Sequence, residues 1–274
     1  MVNLYWITGH RVETQPNHPD PALRSRFYPL EPGKMLEVAA EACRMGPGWA
    51  VVSQNGLELV ATRTTGLFKF VDDIVIKVSA HKAGAVVDLT SGSRVGISDL
   101  GQNRRNVSEF FSYVGLALAG EKPQDGYSTA RFYHFAEAPL ASIARLFFDP
   151  PFLEVISPKE FRLTIDKAPE APGAGTRMTF KVVGGVRWEL EFTEWNPPYS
   201  FSDKMISGPF EEFIHRHTFE EKAGGCVIAD IVRFKHKGGF IGEKLGSILT
   251  GVMMDAALAE RSENLDRYLK EHAL

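Results

Sequence analysis

The sequence predicts an α+β protein of two antiparallel sheets, the first with flanking helices and the second crossed by a long C-terminal helix. Three observations carry this. Short β-rich runs separated by turn residues lie between two helical stretches in residues 33–119. Six further apolar runs fill residues 158–236, the clearest of them alternating with a period of two, as half-buried strands do. Residues 240–271 then keep apolar side chains at helical spacing.

Size and composition fit two domains. At 274 residues, with 44% hydrophobic and 24% charged residues, both halves can bury a core. A net charge of −3 gives no general attraction for nucleic acid, so nucleic acid is not an expected partner. Residues 1–29 have no apolar core of signal-peptide length, and no run approaches the ~18 apolar residues of a membrane helix, so no integral membrane segment is expected. Cys43 and Cys226 are far apart and show no paired spacing, which points away from disulfides or zinc and towards a reducing cytoplasm.

Residues 1–32 are broken by prolines and read as an extended arm, with Tyr5, Trp6 and Ile7 as anchors. A first domain spans 33–122. Met35, Leu36, Ala39, Ala40 and Cys43 predict a helix that Gly46-Pro47-Gly48 ends. Strands are expected at 49–53, 57–64, 74–80 and 85–90, with Asn55-Gly56 as a hairpin signal, because tight turns need left-handed backbone. A second helix over 99–119 buries Val107, Phe110, Phe111, Val114 and Leu118, with Ser98 or Asp99 as its cap. Ser91, Ser93, Arg94, Asn103 and Arg104 converge near its start. They form either an anion site or a structural network in which Arg94 pairs with Asp72, Asp73 or Asp99.

A polar link, Glu121 to Gly126, separates a second domain, 127–274. A strand at 129–135, helices at 140–148 and about 151–156, and strands at 161–166, 176–183, 186–195, 199–205, 213–221 and 226–235 precede the long helix. Successive strand side chains point to opposite faces. One face therefore collects Trp188, Phe192, Glu194, Phe201, Asp203 and Met205, then Phe213, His215, His217, Phe219, Asp230 and Phe234. A turn at Lys222 to Gly225 sets Phe213 opposite Phe234, His215 opposite Val232, His217 opposite Asp230 and Phe219 opposite Ile228. The same parity puts Asp203 beside His215 and Glu194 beside Phe201. On the long helix Met253 and Met254 join the apolar face, while Glu260 and Arg261 fall on the remaining surface.

Histidines and carboxylates on an aromatic face are costly unless paired or wetted, which suits a cavity wall better than a packed core. Three roles remain open for His215, His217, Asp203 and Asp230: a structural network with His217 bonded to Asp230 and His215 to Asp203, a polar anchor for a ligand, or general acid and base groups. His-x-His also suits a metal. Yet no further ligand converges by sequence, and no nucleophile motif or cofactor loop is present, so no metal or cofactor is expected.

Two resemblances add to this reading. Gly48-Trp49, residues 65–73 (TGLFKFVDD) and residues 91–103 (SGSRVGISDLGQN) resemble a bacterial and plastid family of unknown function, number 1499, over roughly Lys34 to Ala119. In the second half, the element order resembles the START-like helix-grip fold. Gly175-Thr176, Trp195-Asn196-Pro197-Pro198, Gly208-Pro209-Phe210 and Phe213-x-His215-x-His217-x-Phe219 are similar to its SRPBCC branch, which includes polyketide cyclases and lipid-transfer domains. That resemblance implies a curved sheet around the C-terminal helix and a cavity for a hydrophobic, lipid- or polyketide-like small molecule. The first domain is then expected in a regulatory or interaction role, with no protein partner indicated. A cyclase or dehydratase using His215, His217, Asp203 and Asp230, or a scaffold without ligand, are the alternatives.

Overall fold

The computed structural model describes residues 11–66, 69–94, 101–122, 127–237 and 239–273, without the side chains of 239–252. It divides between residues 123 and 124 into two compact units. Among the described residues, no helix is long and apolar enough to cross a membrane.

The first unit holds β1 (Arg11–Glu13), β2 (Arg26–Tyr28), α1 (Pro32–Met45), β3 (Trp49–Asn55), β4 (Glu58–Thr64), β5 (Val71–His81), β6 (Gly84–Ser93) and α2 (Gln102–Ala119). Its antiparallel sheet runs β1-β6-β5-β4-β3, and β2 also pairs with β6. Alternate residues Leu59, Ala61, Ile74, Ile76, Val87 and Leu89 are fully buried, with Met35 and Cys43 of α1 and Val107 and Val114 of α2. Burial pushes the Cys43 thiol up to about 12, so it stays protonated as a core side chain. Asn55 pairs with Glu58, so the β3–β4 turn is Gly56-Leu57, one residue beyond the expected pair, with Gly56 supplying the left-handed backbone (φ 56°).

The arm differs from expectation in its described part. Val12 pairs with Ser91 and Phe27 with Val86, so β1 and β2 together cover the free edge of β6, and Leu23 and Tyr28 are buried. A Cβ on Gly84 would lie 2.2 Å from the Tyr28 carbonyl oxygen, so only glycine allows β2 this close. Tyr5, Trp6, Ile7, Ser98 and Asp99 lie outside the described residues.

The second unit holds β7 (Ser128–Ala136), α3 (Leu140–Phe147), α4 (Phe152–Ile156), β8 (Thr164–Lys167), β9 (Arg177–Val182), β10 (Val186–Asn196), β11 (Ser200–Ser207), β12 (Glu212–Lys222), β13 (Gly225–Lys235) and α5 (Gly239–Glu271). The antiparallel sheet runs β7-β13-β12-β11-β10-β9-β8, a meander whose last strand returns beside the first. The β12–β13 register has all four expected pairs, and Asp203 lies opposite His215. The α5 helix, roughly 50 Å long at 1.5 Å per residue, packs on the sheet through Leu258, Ala259, Leu265 and Leu269. This is the helix-grip architecture.

One register expectation fails. A bulge at Thr193 lets β10 spend two residues against one step of β11, so Glu194 pairs with Ser202 and Trp195 with Phe201. Parity reverses there. Trp195 turns inward against Phe192 and Phe201, while Glu194 turns outward and accepts from Ser200 Oγ at 2.7 Å and Arg216 Nη2 at 3.4 Å. Glu194 therefore leaves the candidate site.

Candidate functional site

A cavity of about 210 Å³ lies between the inner sheet face, α3–α4 and α5. The amphipathic turns of α3 and α4 supply Leu146, Phe147, Phe152, Leu153 and Ile156; the sheet supplies Met178, Phe180, Leu190, Trp188, Phe192, Phe201 and Phe213; α5 supplies Met254, Ala257 and Leu258. The rings lock one another. Trp188 stacks on Phe180 with centroids 5.8 Å apart and meets Phe213 edge-on at 5.1 Å.

Polar residues interrupt this wall at Asp149, Ser157, Asp203, His215, His217 and Arg261. Behind the histidines sits Asp230. Its Oδ1 accepts from His215 Nε2 at 3.0 Å and from Arg261 Nη1 at 3.2 Å. It also lies 2.8 Å from His217 Nδ1. The imidazoles of His215 and His217 are 3.9 Å apart between centroids, and Phe201 stacks on His217 at 4.2 Å.

Burial sets the protonation states. Desolvation pushes the Asp203 carboxyl up to about 6, against the pull of His215 and Arg261. Burial, reinforced by His215, holds His217 down to about 3, so it is neutral near pH 7. Burial also works to raise Asp230, but Arg261 and the two histidines outweigh it and hold that carboxyl well below the usual range. Among the described residues Asp203 Oδ1 and Trp188 Nε1 are buried without a hydrogen-bond partner.

Of the residues expected at the site, the structure brings Trp188, Phe192, Phe201, Asp203, Phe213, His215 and His217 to the cavity wall. Phe219 packs in the larger apolar cluster, Phe234 in the smaller one, and Met205 touches both. Met253 is 53% exposed, and Met254 takes the inward position. The expected His215–Asp203 bond gives way to His215–Asp230, because Asp230 reaches both histidines from β13. Arg261, expected on the surface, points inward across the Phe147 ring, 5.1 Å from its centroid. Its signal was its place on the buried stripe, three residues after Leu258 and four before Leu265.

Asp203, His215 and His217 each offer one ligand atom within a 4.8 Å set. Bonds of ~2.1 Å in a tetrahedral site put donors roughly 3.5 Å apart, a spacing that lies inside this limit.

In the first unit Ser91, Ser93 and Asn103 do meet. Ser91 Oγ donates to Asn103 Oδ1 at 2.6 Å, Asn103 Nδ2 to Ser93 Oγ at 3.1 Å, and Ser93 Oγ to buried Asp72 at 2.7 Å. Arg94 forks onto Asp73 at 2.6–3.1 Å, and Arg104 onto Asp20 at 2.8 and 3.1 Å. Both cations are thus committed to carboxylates. Of the two readings left open for these residues, the Arg94–Asp73 pair is the contact that the structural network expected.

The fold and site define a helix-grip unit with an apolar cavity and a charged inner wall. Residues 5–114 of the chain match the family described as "Protein of unknown function (DUF1499)", a match that starts earlier than the resemblance read from Lys34 onwards. No curated protein matches the chain in sequence. Similar solved structures include protein Ms6760 from Mycobacterium smegmatis, 23% identical over 53% of this chain and 92% of that one, with a TM-score of 0.40. Another is the di-domain ARO/CYC BexL from the BE-7585A biosynthetic pathway, 13% identical over 97% of this chain and 99% of that one, TM-score 0.40. A third is norcoclaurine synthase from Thalictrum flavum in complex with dopamine and hydroxybenzaldehyde, 18% identical over 51% and 87%, TM-score 0.39.

Proposed function

We propose that the second unit binds a hydrophobic small molecule in the space beneath α5. One observation carries the reading: three elements wall a 210 Å³ volume with aromatic and aliphatic side chains and do not fill it. Protein interiors are packed to crystal density, and an apolar void of this kind gains by taking up an apolar guest. Calorimetric titration with 2-methylnaphthalene tests it, with the protein in the syringe. The expected result is one site per chain, lost in Ala257→Phe, whose ring would occupy the same volume. Absence of binding by the unaltered protein, or equal binding by Ala257→Phe, removes the proposal.

A second reading, proton transfer to a bound carbonyl compound as in a cyclase or dehydratase, is favoured by the Asp203 carboxyl at about 6 beside the carboxylate-held His215. It requires the protein to speed α-proton exchange of 2-tetralone in D2O, and His215→Ala to lose that effect. A rate equal to that of buffer would leave binding alone.

A further inference from the structure

Two side chains that line the cavity each carry a polar atom unmatched among the described residues. Asp203 Oδ1 and Trp188 Nε1 are buried, lack a hydrogen-bond partner among the described residues, and belong to side chains that line the same space. Arg261 Nε and His217 Nδ1 also lack hydrogen bonds, but both belong to groups already set against Asp230, at 3.2 and 2.8 Å. Buried polar groups are nearly always satisfied, so an orphaned acceptor and an orphaned donor in one cavity describe their missing partner.

Resting on the proposed binding function, we infer that the ligand is a neutral molecule of one or two rings that gives a hydroxyl to Asp203 and a separate acceptor oxygen to Trp188. The charges around the cavity select neutrality. A cation would meet the guanidinium of Arg261, and an anion would meet the carboxyl of Asp203, on the wall of a cavity that screens poorly. Size selects the rings: a 150 Å³ apolar cavity takes benzene, whereas the space here is about 210 Å³, below the ~300–1,000 Å³ of larger ligand sites. An acyl chain would leave both polar atoms unmet, at roughly ten- to hundredfold in affinity for each.

Spacing agrees. Asp203 pairs with Phe192, and Trp188 lies four residues earlier on β10, about 13 Å along the strand at 3.3 Å per residue. The ligand class is therefore narrower than a lipid- or polyketide-like compound.

The probes are 2-methylnaphthalene, its hydroxyl isostere 2-naphthol, and 6-acetyl-2-naphthol, titrated calorimetrically at pH 7 against the full chain. A purely apolar cavity would bind 2-naphthol more weakly than 2-methylnaphthalene, because a hydroxyl is desolvated for nothing. The inference expects 2-naphthol to bind at least fivefold more tightly, with Asp203→Leu abolishing that preference, and the acetyl group to add a further gain that Trp188→Phe removes. A 2-naphthol advantage below fivefold overturns the ligand class while the binding of 2-methylnaphthalene leaves the proposed function standing. A preference that survives Asp203→Leu overturns it too. Should Asp203→Leu fail to fold, the ratio measured on the unaltered protein decides. Failure of all three probes removes the binding function itself, and the ligand class with it.

Discussion

Replacing Asp203 by asparagine removes an acid whose ionisation burial opposes. Its carboxyl titrates at about 6 in the folded protein against 3.8 for the unperturbed group. Each pKa unit corresponds to about 1.4 kcal/mol, so the ionised carboxylate costs up to about 3 kcal/mol of stability. The sign follows from proton binding. Between pH 3.8 and 6 the folded state holds the proton that the unfolded state has released. Stability contributed by protonation is thus present below the unfolded value and lost as pH rises through the folded one. Asp203→Asn should gain up to about 3 kcal/mol at pH 8 but only about 1 kcal/mol at pH 4.5. The attraction of the carboxylate to His215 and Arg261 is already contained in the folded value of about 6. Urea denaturation of both proteins at the two pH values measures the gain. A gain that does not change with pH, or an asparagine variant less stable at pH 8, would refute the reasoning.

Three further outcomes are expected. His217, held neutral down to about 3 by burial, leaves the unfolded state to take up a proton first as pH falls below 6.5, so this group removes stability at up to about 1.4 kcal/mol per pH unit; urea midpoints between pH 7 and 4 should fall less steeply in His217→Gln. Arg261→Met takes the only guanidinium from Asp230 among the described contacts and should cost about 3 kcal/mol in urea, with Asp230→Asn in the same chain recovering most of it; no recovery would mean that packing over Phe147, not charge, is what Arg261 supplies. Gly84→Ala forces a Cβ to 2.2 Å from the Tyr28 carbonyl and should lower stability by roughly 2 kcal/mol or more. Amide exchange would then speed up in β2 ahead of β4 and β5, and uniform exchange would count against a local clash.

The β12–β13 hairpin was legible because its signal is redundant. Phe213, His215, His217 and Phe219 alternate along β12, Ile228, Asp230, Val232 and Phe234 share one face of β13, and the turn at Ala223-Gly224 leaves one register that sets the two faces together. Helix α2 was legible for the same reason, since Val107, Phe110, Phe111 and Val114 repeat one stripe, although Leu118, also expected on it, is only half-buried and Leu116 is buried in the last turns. Glu194 was not, because the Thr193 bulge has no glycine or proline to mark it and nothing local reports the lost parity. Arg261 was read as surface from its charge although its helical phase is buried; its partner Asp230 is on a strand thirty-one residues away in sequence, beyond any local pattern. Met253 and Met254 were both read as apolar-facing, but neighbouring helical residues differ by about 100° in direction, so only Met254 reaches the cavity while Met253 is exposed. Strands β1 and β2, three residues each, are too short to show a period.

The most direct test of the account is a crystal structure determined after soaking in 2-methylnaphthalene. The account predicts two-ring density enclosed by Phe147, Phe192, Phe201 and Met254, with His215 and His217 on the same wall. Crystals in which those side chains meet one another and fill the space, leaving the two-ring molecule outside, would contradict it.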